Sequence, residues 1–227
     1  MAYPSTRWSQ VLVAGGDSQP ARAALAWLCE RYWDCLQAHV RRRGFAEHDA
    51  EDLTQDFLIA IISGRILDRA DPTRGRFRTF LLACLDHHLL HARERAGALK
   101  RGGGLAVEPL AQEGHAGPPA DPVAGFDRDW AHLVVARALD QMKAQEPPGR
   151  WQALSGFLGE NGDAAAYTAA GVGLGLGEGA VKVAVHRLRE RFRECLRAEI
   201  AQTLAENEPR LIDAELTHLL AALRHAL

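Results

Sequence analysis

Carboxylate side chains are concentrated between Glu47 and Asp56, a segment without lysine or arginine. Helical spacing puts Asp49, Asp52 and Asp56 on one face, and a different face carries an apolar stripe of Leu53, Phe57, Ala60 and Ile61. Acids in the first turn of a helix interact favourably with its dipole. Gln55 and Asp56 lie beyond that turn, so the dipole does not explain them. The segment is predicted to be a helix, beginning near His48 or Asp49, that presents an acidic surface to a partner.

The chain becomes basic between Arg65 and Arg101, where nine lysines and arginines stand against four acids. This change of charge suggests two surfaces for two different partners. Three histidines, His87, His88 and His91, accompany the arginines. With Cys84 they include the i, i+3, i+7 spacing of metal ligands, which makes a metal-dependent enzyme a remote alternative. Because Cys84 belongs to the predicted apolar stripe and no neighbouring acid offers itself as a base, no metal is predicted.

A second basic segment, residues 167–197, has the pattern of a helix-turn-helix. Gly175 is the predicted turn, and Glu178 is the predicted start of the second helix. That helix carries a buried stripe and a basic exposed side, formed by Lys182, Arg187, Arg189, Arg191, Arg193 and Arg197. An ordinary solvated amphipathic helix would look similar. The glycine turn and the second basic block nevertheless make DNA binding an equally good interpretation.

Composition limits what the whole chain can be. It has 227 residues, 47% of them hydrophobic, and a net charge of -2, so any nucleic acid must bind to local basic patches. Sparse valine and isoleucine favour an all-α fold. The four cysteines form no C-x-x-C pair, and there is no signal peptide or membrane span. A reduced, cytoplasmic protein without cofactors is therefore expected.

Two small helical domains are predicted. An N-terminal extension, 1–20, includes a short helix at 8–13, and the first domain covers 21–101. A Gly- and Pro-rich flexible linker follows at 102–126, and the second domain covers 127–200. The C-terminal extension, 201–227, contains a helix that is expected to pack on the second domain through a stripe of Ile212, Leu216, Leu219, Leu220 and Leu223.

Three motifs resemble those of bacterial RNA polymerase sigma factors of the extracytoplasmic-function (ECF) type, in the sigma-70 family. The first, at 49–57, is similar to the family's D-A-E-D-x-x-Q-x-F segment. The second, at 77–81, is similar to F-R-x-W-L, and the third, at 178–189, to E-G-A-V-K-x-x-x-H-R-x-R. The resemblance covers roughly 21–101 and 127–197. It makes the first domain sigma region 2 and the second domain sigma region 4.

The resemblance implies a factor that is not an enzyme and has no catalytic residues. It implies core RNA polymerase and promoter DNA as partners. Polymerase would bind Asp49, Glu51, Asp52, Gln55 and Asp56. The -10 element, held single-stranded, would bind Arg76, Arg78, His87, His88, His91, Arg93 and Arg95. The -35 element would bind Glu178, Lys182, Val183, His186, Arg187 and Arg189. An anti-sigma factor, a kinase or the C-terminal helix are alternative means of control. The alternative function is a helix-turn-helix regulator that acts without polymerase.

Three departures from the family pattern lead to further expectations. Phe80 stands where the family usually has Trp, and His87 stands where many members have Asn. The glycine-rich segment 171–177 stands where the family has a helix that carries Ala, Arg and a Ser/Thr cap, and Gly171 and Gly173 fall in the helix interior. Because glycine costs about 1 kcal/mol relative to alanine inside a helix, a frayed first helix and weaker -35 binding are predicted. Replacing Gly171 with Ala and Gly173 with Arg is expected to strengthen that binding.

Overall fold

A computed structural model of the protein describes residues 19–63, 77–102, 121–204 and 209–224. The described chain is all-α, as predicted, with eight α-helices and no strand in these ranges. They are α1 (Gln19–Arg42), α2 (Glu47–Ile62), α3 (Phe77–Gly102), α4 (Pro122–Gln145), α5 (Pro148–Leu154), α6 (Ala164–Leu174), α7 (Glu178–Ala201) and α8 (Pro209–Arg224). A 3-10 turn, Ser155–Leu158, follows α5. The helix predicted at 8–13 and the residue Arg76 lie outside the described ranges.

Helix α4 begins before the predicted domain boundary at residue 127. Asp121 is its N-cap, and the Asp121 carboxylate accepts a hydrogen bond of 3.0 Å from the Val123 amide. Pro122 occupies the first turn, where its missing N–H costs nothing. Phe126, the last residue of the predicted linker, is fully buried. The end of the predicted linker therefore belongs to a helix with a core residue, and most of that linker, residues 103–120, lies outside the described chain.

The α6–α7 pair has the predicted boundaries at its turn. Gly175 has a φ of 65°, the left-handed conformation that favours glycine, and α7 begins at Glu178. The expectation of a frayed first helix is wrong, since α6 is continuous to Leu174. Gly171 is buried, and a Cβ built on it would lie 2.3 Å from the Leu176 carbonyl oxygen. Glycine at 171 therefore allows the turn to close against the helix.

Buried apolar residues form two clusters that do not follow the predicted division into two domains. The larger cluster combines α1, α2 and α3 with the beginning of α4, the end of α7 and one face of α8. Its members include Tyr32, Phe57, Leu85, Trp130 and Leu219. The smaller cluster joins the end of α4 with α5, α6 and the beginning of α7, and it includes Met142, Leu154 and Val181. Helices α4 and α7 thus extend through both clusters and connect the two halves of the chain.

Helix α8 packs on α4 and α7, as expected for a helix docked on the second domain. Its buried residues Ile212 and Leu219 also belong to the larger cluster, together with residues of α1, α2 and α3. The helix is therefore in contact with the common core of both halves. None of the described helices is both long enough and apolar enough to cross a lipid bilayer.

Candidate functional surfaces

The acidic face of α2 consists of Asp49, Glu51, Asp52, Gln55 and Asp56. All five side chains are exposed, and the opposite side of the helix is held in the core by Phe57, Leu58 and Ile61. Thr54 is buried and donates its hydroxyl hydrogen bond, 2.7 Å long, to the Ala50 carbonyl within the helix. The structure therefore brings together the whole predicted polymerase-binding set on one accessible helix.

An exposed isoleucine accompanies the acidic face. Ile59 is 47% exposed and follows Gln55 and Asp56 by four and three residues, so it lies on the same side of α2. Leu53, a member of the apolar stripe, packs partly buried against the core. The sequence did contain a signal for Ile59, because this residue falls outside the stripe of Leu53, Phe57 and Ile61. The apolar contribution to this surface therefore comes from Ile59 rather than Leu53.

Two of the predicted -10 histidines form an exposed pair on α3. The Nε2 atoms of His87 and His91 are 3.2 Å apart, and the two rings meet edge to face with centroids separated by 4.3 Å. His91 Nδ1 lies 3.0 Å from a carboxylate oxygen of Glu94. Leu90, which precedes His91 in the sequence, is 54% exposed. This side of α3, the histidine face, presents flat and apolar groups of the kind that stack with unpaired bases.

His88 does not belong to the histidine face. Its ring is partly buried and lies 5.8 Å from the ring of Phe57 on α2, centroid to centroid. Burial lowers the pKa of His88, and the nearby Arg95 guanidinium lowers it further. The side chain of His88 is therefore directed to the junction of α2 and α3, as expected for a residue one position along a helix from His87.

Two predicted DNA-contacting arginines, Arg93 and Arg95, are exposed but already have local partners. The Arg93 guanidinium lies 4.9 Å from the centre of the Phe45 ring and donates a hydrogen bond to the Arg43 carbonyl. Arg95 Nε donates to the His91 carbonyl at 3.3 Å. Both charges remain accessible to solvent on the same helix as the histidine face.

Arg78 is placed differently from the other predicted -10 residues, because only 4% of it is exposed. Its Nε donates to Asp127 of α4 at 2.7 Å, and its guanidinium also pairs with Glu215 of α8. The guanidinium carbon lies 4.2 Å from the centre of the Trp130 ring. Arg78 is therefore buried in this structure, whereas the other described -10 candidates, except His88, are exposed. The cause is a pair of carboxylates, one from the second half of the chain and one from the C-terminal helix.

Most of the predicted -35 residues are displayed on the first half of α7. Lys182, Val183, His186 and Arg187 are exposed, and Val183 is 51% accessible. Glu178, partly exposed, lies 2.6 Å from Lys182 Nζ and raises the pKa of that lysine by accepting its hydrogen bond. Arg187 makes no hydrogen bond or ion pair to the part of the chain that the structure describes. These side chains form the α7 basic face.

Arg189 was also predicted to contact DNA, but its guanidinium is directed toward the protein. It donates hydrogen bonds to the Phe157 carbonyl at 2.9 and 2.6 Å, to the Glu160 carbonyl at 2.8 Å and to the Asn161 side chain at 2.8 Å. Phe157 lies in the 3-10 turn, and Glu160 and Asn161 follow it, so Arg189 supplies donors at the end of a turn whose last carbonyls have no partners within it. Arg189 therefore fixes the segment before α6 to α7.

Comparison with known protein families finds a match within the first half of the chain. Residues 28–98 match the family model for sigma-70 region 2. The match spans most of α1, all of α2 and most of α3, and it includes the acidic face and the histidine face. No curated protein and no solved structure matches the chain.

The matched segment is similar to region 2 of sigma factors of the sigma-70 family. Proteins with this region are transcription initiation factors rather than enzymes, and they bind core RNA polymerase and promoter DNA. Among the described residues, no group of three or more histidine, cysteine, aspartate or glutamate side chains is arranged to hold a metal ion.

Proposed function

We propose that this chain is a cytoplasmic sigma factor of the ECF type that directs core RNA polymerase to promoters and helps to melt them. The observation that carries the proposal is the complete, exposed acidic face of α2 within the segment that matches sigma-70 region 2. A DNA-binding regulator that acts alone would not need such a face. The proposal requires no cofactor.

Helix α2 would bind a basic surface of the polymerase. Exposed ion pairs contribute only about 0–1 kcal/mol each, so the carboxylates mainly provide steering and orientation. Ile59 adds apolar area beside them. Burying the exposed part of one isoleucine contributes on the order of 1 kcal/mol. The combination of a charged rim and an apolar contact is the usual composition of a specific protein interface.

The histidine face of α3 would receive the melted strand of the -10 element. Unpaired bases stack on flat side chains, and a single strand also needs cations along its backbone. His87 and His91 provide the rings, Leu90 provides an apolar surface, and Arg93 and Arg95 provide charge on the same helix. His88 acts from beneath this surface, through its contact with Phe57, rather than by touching DNA.

The α7 basic face would enter the major groove at the -35 element, with α6 and α7 acting as a helix-turn-helix. Lys182 and Arg187 are suited to phosphates and guanine edges, while Val183 and His186 lie between them on the exposed side of the helix. Arg189 would have an indirect part, because it holds the preceding segment against α7.

Binding to core RNA polymerase is the decisive test. We expect purified core polymerase to retain the wild-type chain in a pull-down, and Asp52→Arg to weaken retention by about tenfold because it places like charges opposite each other. Asp140→Arg, the same change at an exposed position of α4, is the matched control and is expected to bind normally. If the wild-type chain does not bind, the proposal is wrong.

The regulator without polymerase has one observation in its favour, since the α7 basic face is exposed and needs no other element to reach DNA. It predicts tight, sequence-specific binding to duplex DNA by the chain alone and no polymerase-dependent transcription. The sigma-factor proposal predicts run-off transcripts from genomic fragments only when polymerase and this chain are both present.

A further inference from the structure

The C-terminal helix α8 is held against both halves of the chain by an apolar face. Leu219 is fully buried and Ile212 almost so, and both belong to the core cluster that contains α1, α2 and α3. The next residue after Leu219, Leu220, is 45% exposed on the other side of the helix. Only one side of α8, the side of Ile212 and Leu219, is therefore docked on the core.

The same helix closes a cluster of charges around Arg78. Glu215, which is 2% exposed, pairs with the Arg78 guanidinium. His218 Nε2 donates to Asp127 at 2.8 Å, and the other carboxylate oxygen of Asp127 accepts from Arg78. Burial alone would raise the pKa of Asp127, but the hydrogen bonds from Arg78 and His218 lower it below its usual value. Two carboxylates thus take the positions that DNA phosphates would need in order to reach this arginine.

Further ion pairs connect the first half of the chain, through α1, to α4 and α7 of the second half. Arg31 of α1 pairs with Glu199 of α7 in a buried contact, and its second terminal nitrogen donates to Gln202 at 2.7 Å. Arg42, at the end of α1, lies 2.6 Å from Asp129 of α4. The first half of the chain is therefore attached to α7 through Arg31 and to α4 through Arg42.

This packed arrangement is too short to use both proposed DNA surfaces at once. From Arg187 along α7 to Glu199, and from Arg31 along α1 to His39, the route covers about 30 Å at 1.5 Å per helical residue. The two crossings between packed helices, from Glu199 to Arg31 and from His39 to Asp86, add on the order of 10 Å each. Promoter elements at -35 and -10 lie about 25 base pairs apart, which is roughly 85 Å of duplex at one turn per 34–36 Å. The two halves must separate before both elements can be bound.

We propose that α8 is an autoinhibitory clamp, which holds the two halves together and uses Glu215 to keep Arg78 from promoter DNA. This inference rests on the proposed sigma function and adds its regulation. Release of α8 would let the halves separate and would return Arg78 to the surface beside the histidine face. The acidic face of α2 is exposed while the clamp is closed, so polymerase can bind before release.

Leu219→Asp is the main test, because it places a charge in the docked face of α8. Leu220→Asp makes the same change at the exposed neighbouring position and is the control. With core polymerase and fragmented genomic DNA, we expect Leu219→Asp to increase run-off transcription at least tenfold over wild type, while Leu220→Asp changes it less than twofold. Pull-down by core polymerase is expected to be the same for all three proteins.

Glu215→Gln tests the charge cluster without disturbing the apolar face, and it also serves if Leu219→Asp does not fold. Removing one of the two carboxylates around Arg78 is expected to increase transcription about threefold. Hydrogen exchange provides an independent measurement. Amides of α8 are expected to be protected in the free chain and to lose that protection in the holoenzyme–promoter complex.

The outcomes separate the clamp from the function on which it depends. If wild type binds polymerase and initiates transcription, but Leu219→Asp and Glu215→Gln are no more active, the clamp is refuted and the sigma function stands. Protection of α8 that persists in the transcribing complex also refutes the clamp. If no variant and no wild-type sample binds polymerase, both proposals fall.

Discussion

The two proposed DNA surfaces are presented to solvent to different degrees. On α7, Lys182, Val183, His186 and Arg187 are all exposed, whereas Arg189 is turned toward the protein. On α3, the histidine pair is exposed, but Arg78 is buried between carboxylates. The difference has a simple origin. The first half of α7 packs only within its own small cluster, whereas the beginning of α3 lies where α4 and α8 meet the first half of the chain.

This comparison suggests that duplex recognition and strand capture are controlled separately. The exposed α7 basic face is expected to bind duplex DNA only weakly by itself, since the chain has a net charge of -2. Strand capture commits the complex to melting. Burial of Arg78 would therefore limit strand capture, and promoter melting could not begin while α8 is docked.

Arg78→Ala is expected to have the largest effect on stability. Removing the guanidinium leaves Glu215 and Asp127 as buried carboxylates without their main cation, a loss that typically costs about 3–5 kcal/mol. Urea unfolding followed by helical circular dichroism measures the change. Arg93→Ala, at an exposed position of the same helix, is expected to cost less than about 1 kcal/mol. Similar losses for both variants would mean that Arg78 is not buried as described.

Gly171→Ala is expected to have the next largest effect. The new Cβ would lie 2.3 Å from the Leu176 carbonyl oxygen, so the turn between α6 and α7 must shift at a cost of about 3 kcal/mol. Gly173→Ala has open space around its Cβ and is expected to stabilise the protein by about 0.5–1 kcal/mol. Thermal unfolding of the two variants gives the comparison. A tolerated Gly171→Ala would show that the turn is not closed in solution.

The contrast between these glycines revises the expectation for -35 binding. The sequence suggested that replacing both Gly171 and Gly173 would strengthen it by stabilising α6. In the structure, the turn requires glycine at position 171. Of these two positions, only 173 can take a larger residue that stabilises α6. Helix propensity predicted a cost at both positions equally, because propensity depends on the residue and not on the carbonyl that approaches it.

Local patterns predicted local features well. The start of α7 at Glu178, the glycine turn at Gly175 and the exposed acids of α2 all follow from spacing and capping preferences over a few residues. The burial of Arg78 could not be predicted in this way. Its partners Asp127 and Glu215 lie far along the chain, on helices whose packing depends on tertiary contacts.

The same limit applies to the orientation of Arg189. Arg187 and Arg189 both appear as bases on an amphipathic helix, and residue type does not distinguish them. Two residues along a helix turn the side chain by about 200°, so the two cannot share one face. One of them had to be directed away from DNA, but only the position of the Phe157 and Glu160 carbonyls decides which one.

Replacing each of these two arginines with alanine, one at a time, tests the α7 surface most closely. Arg187→Ala is expected to leave stability unchanged and to weaken discrimination for the -35 element by about 1–3 kcal/mol, since a bidentate contact to guanine is lost. Arg189→Ala is expected to lower the unfolding free energy, because three acceptors lose their donor, while base preference stays the same. Promoter binding by the holoenzyme across single-base variants, together with urea unfolding, measures both quantities. If Arg189→Ala changed base preference and left stability intact, its contacts to Phe157 and Glu160 would be incidental, and α7 would present a wider DNA surface than its exposed residues indicate.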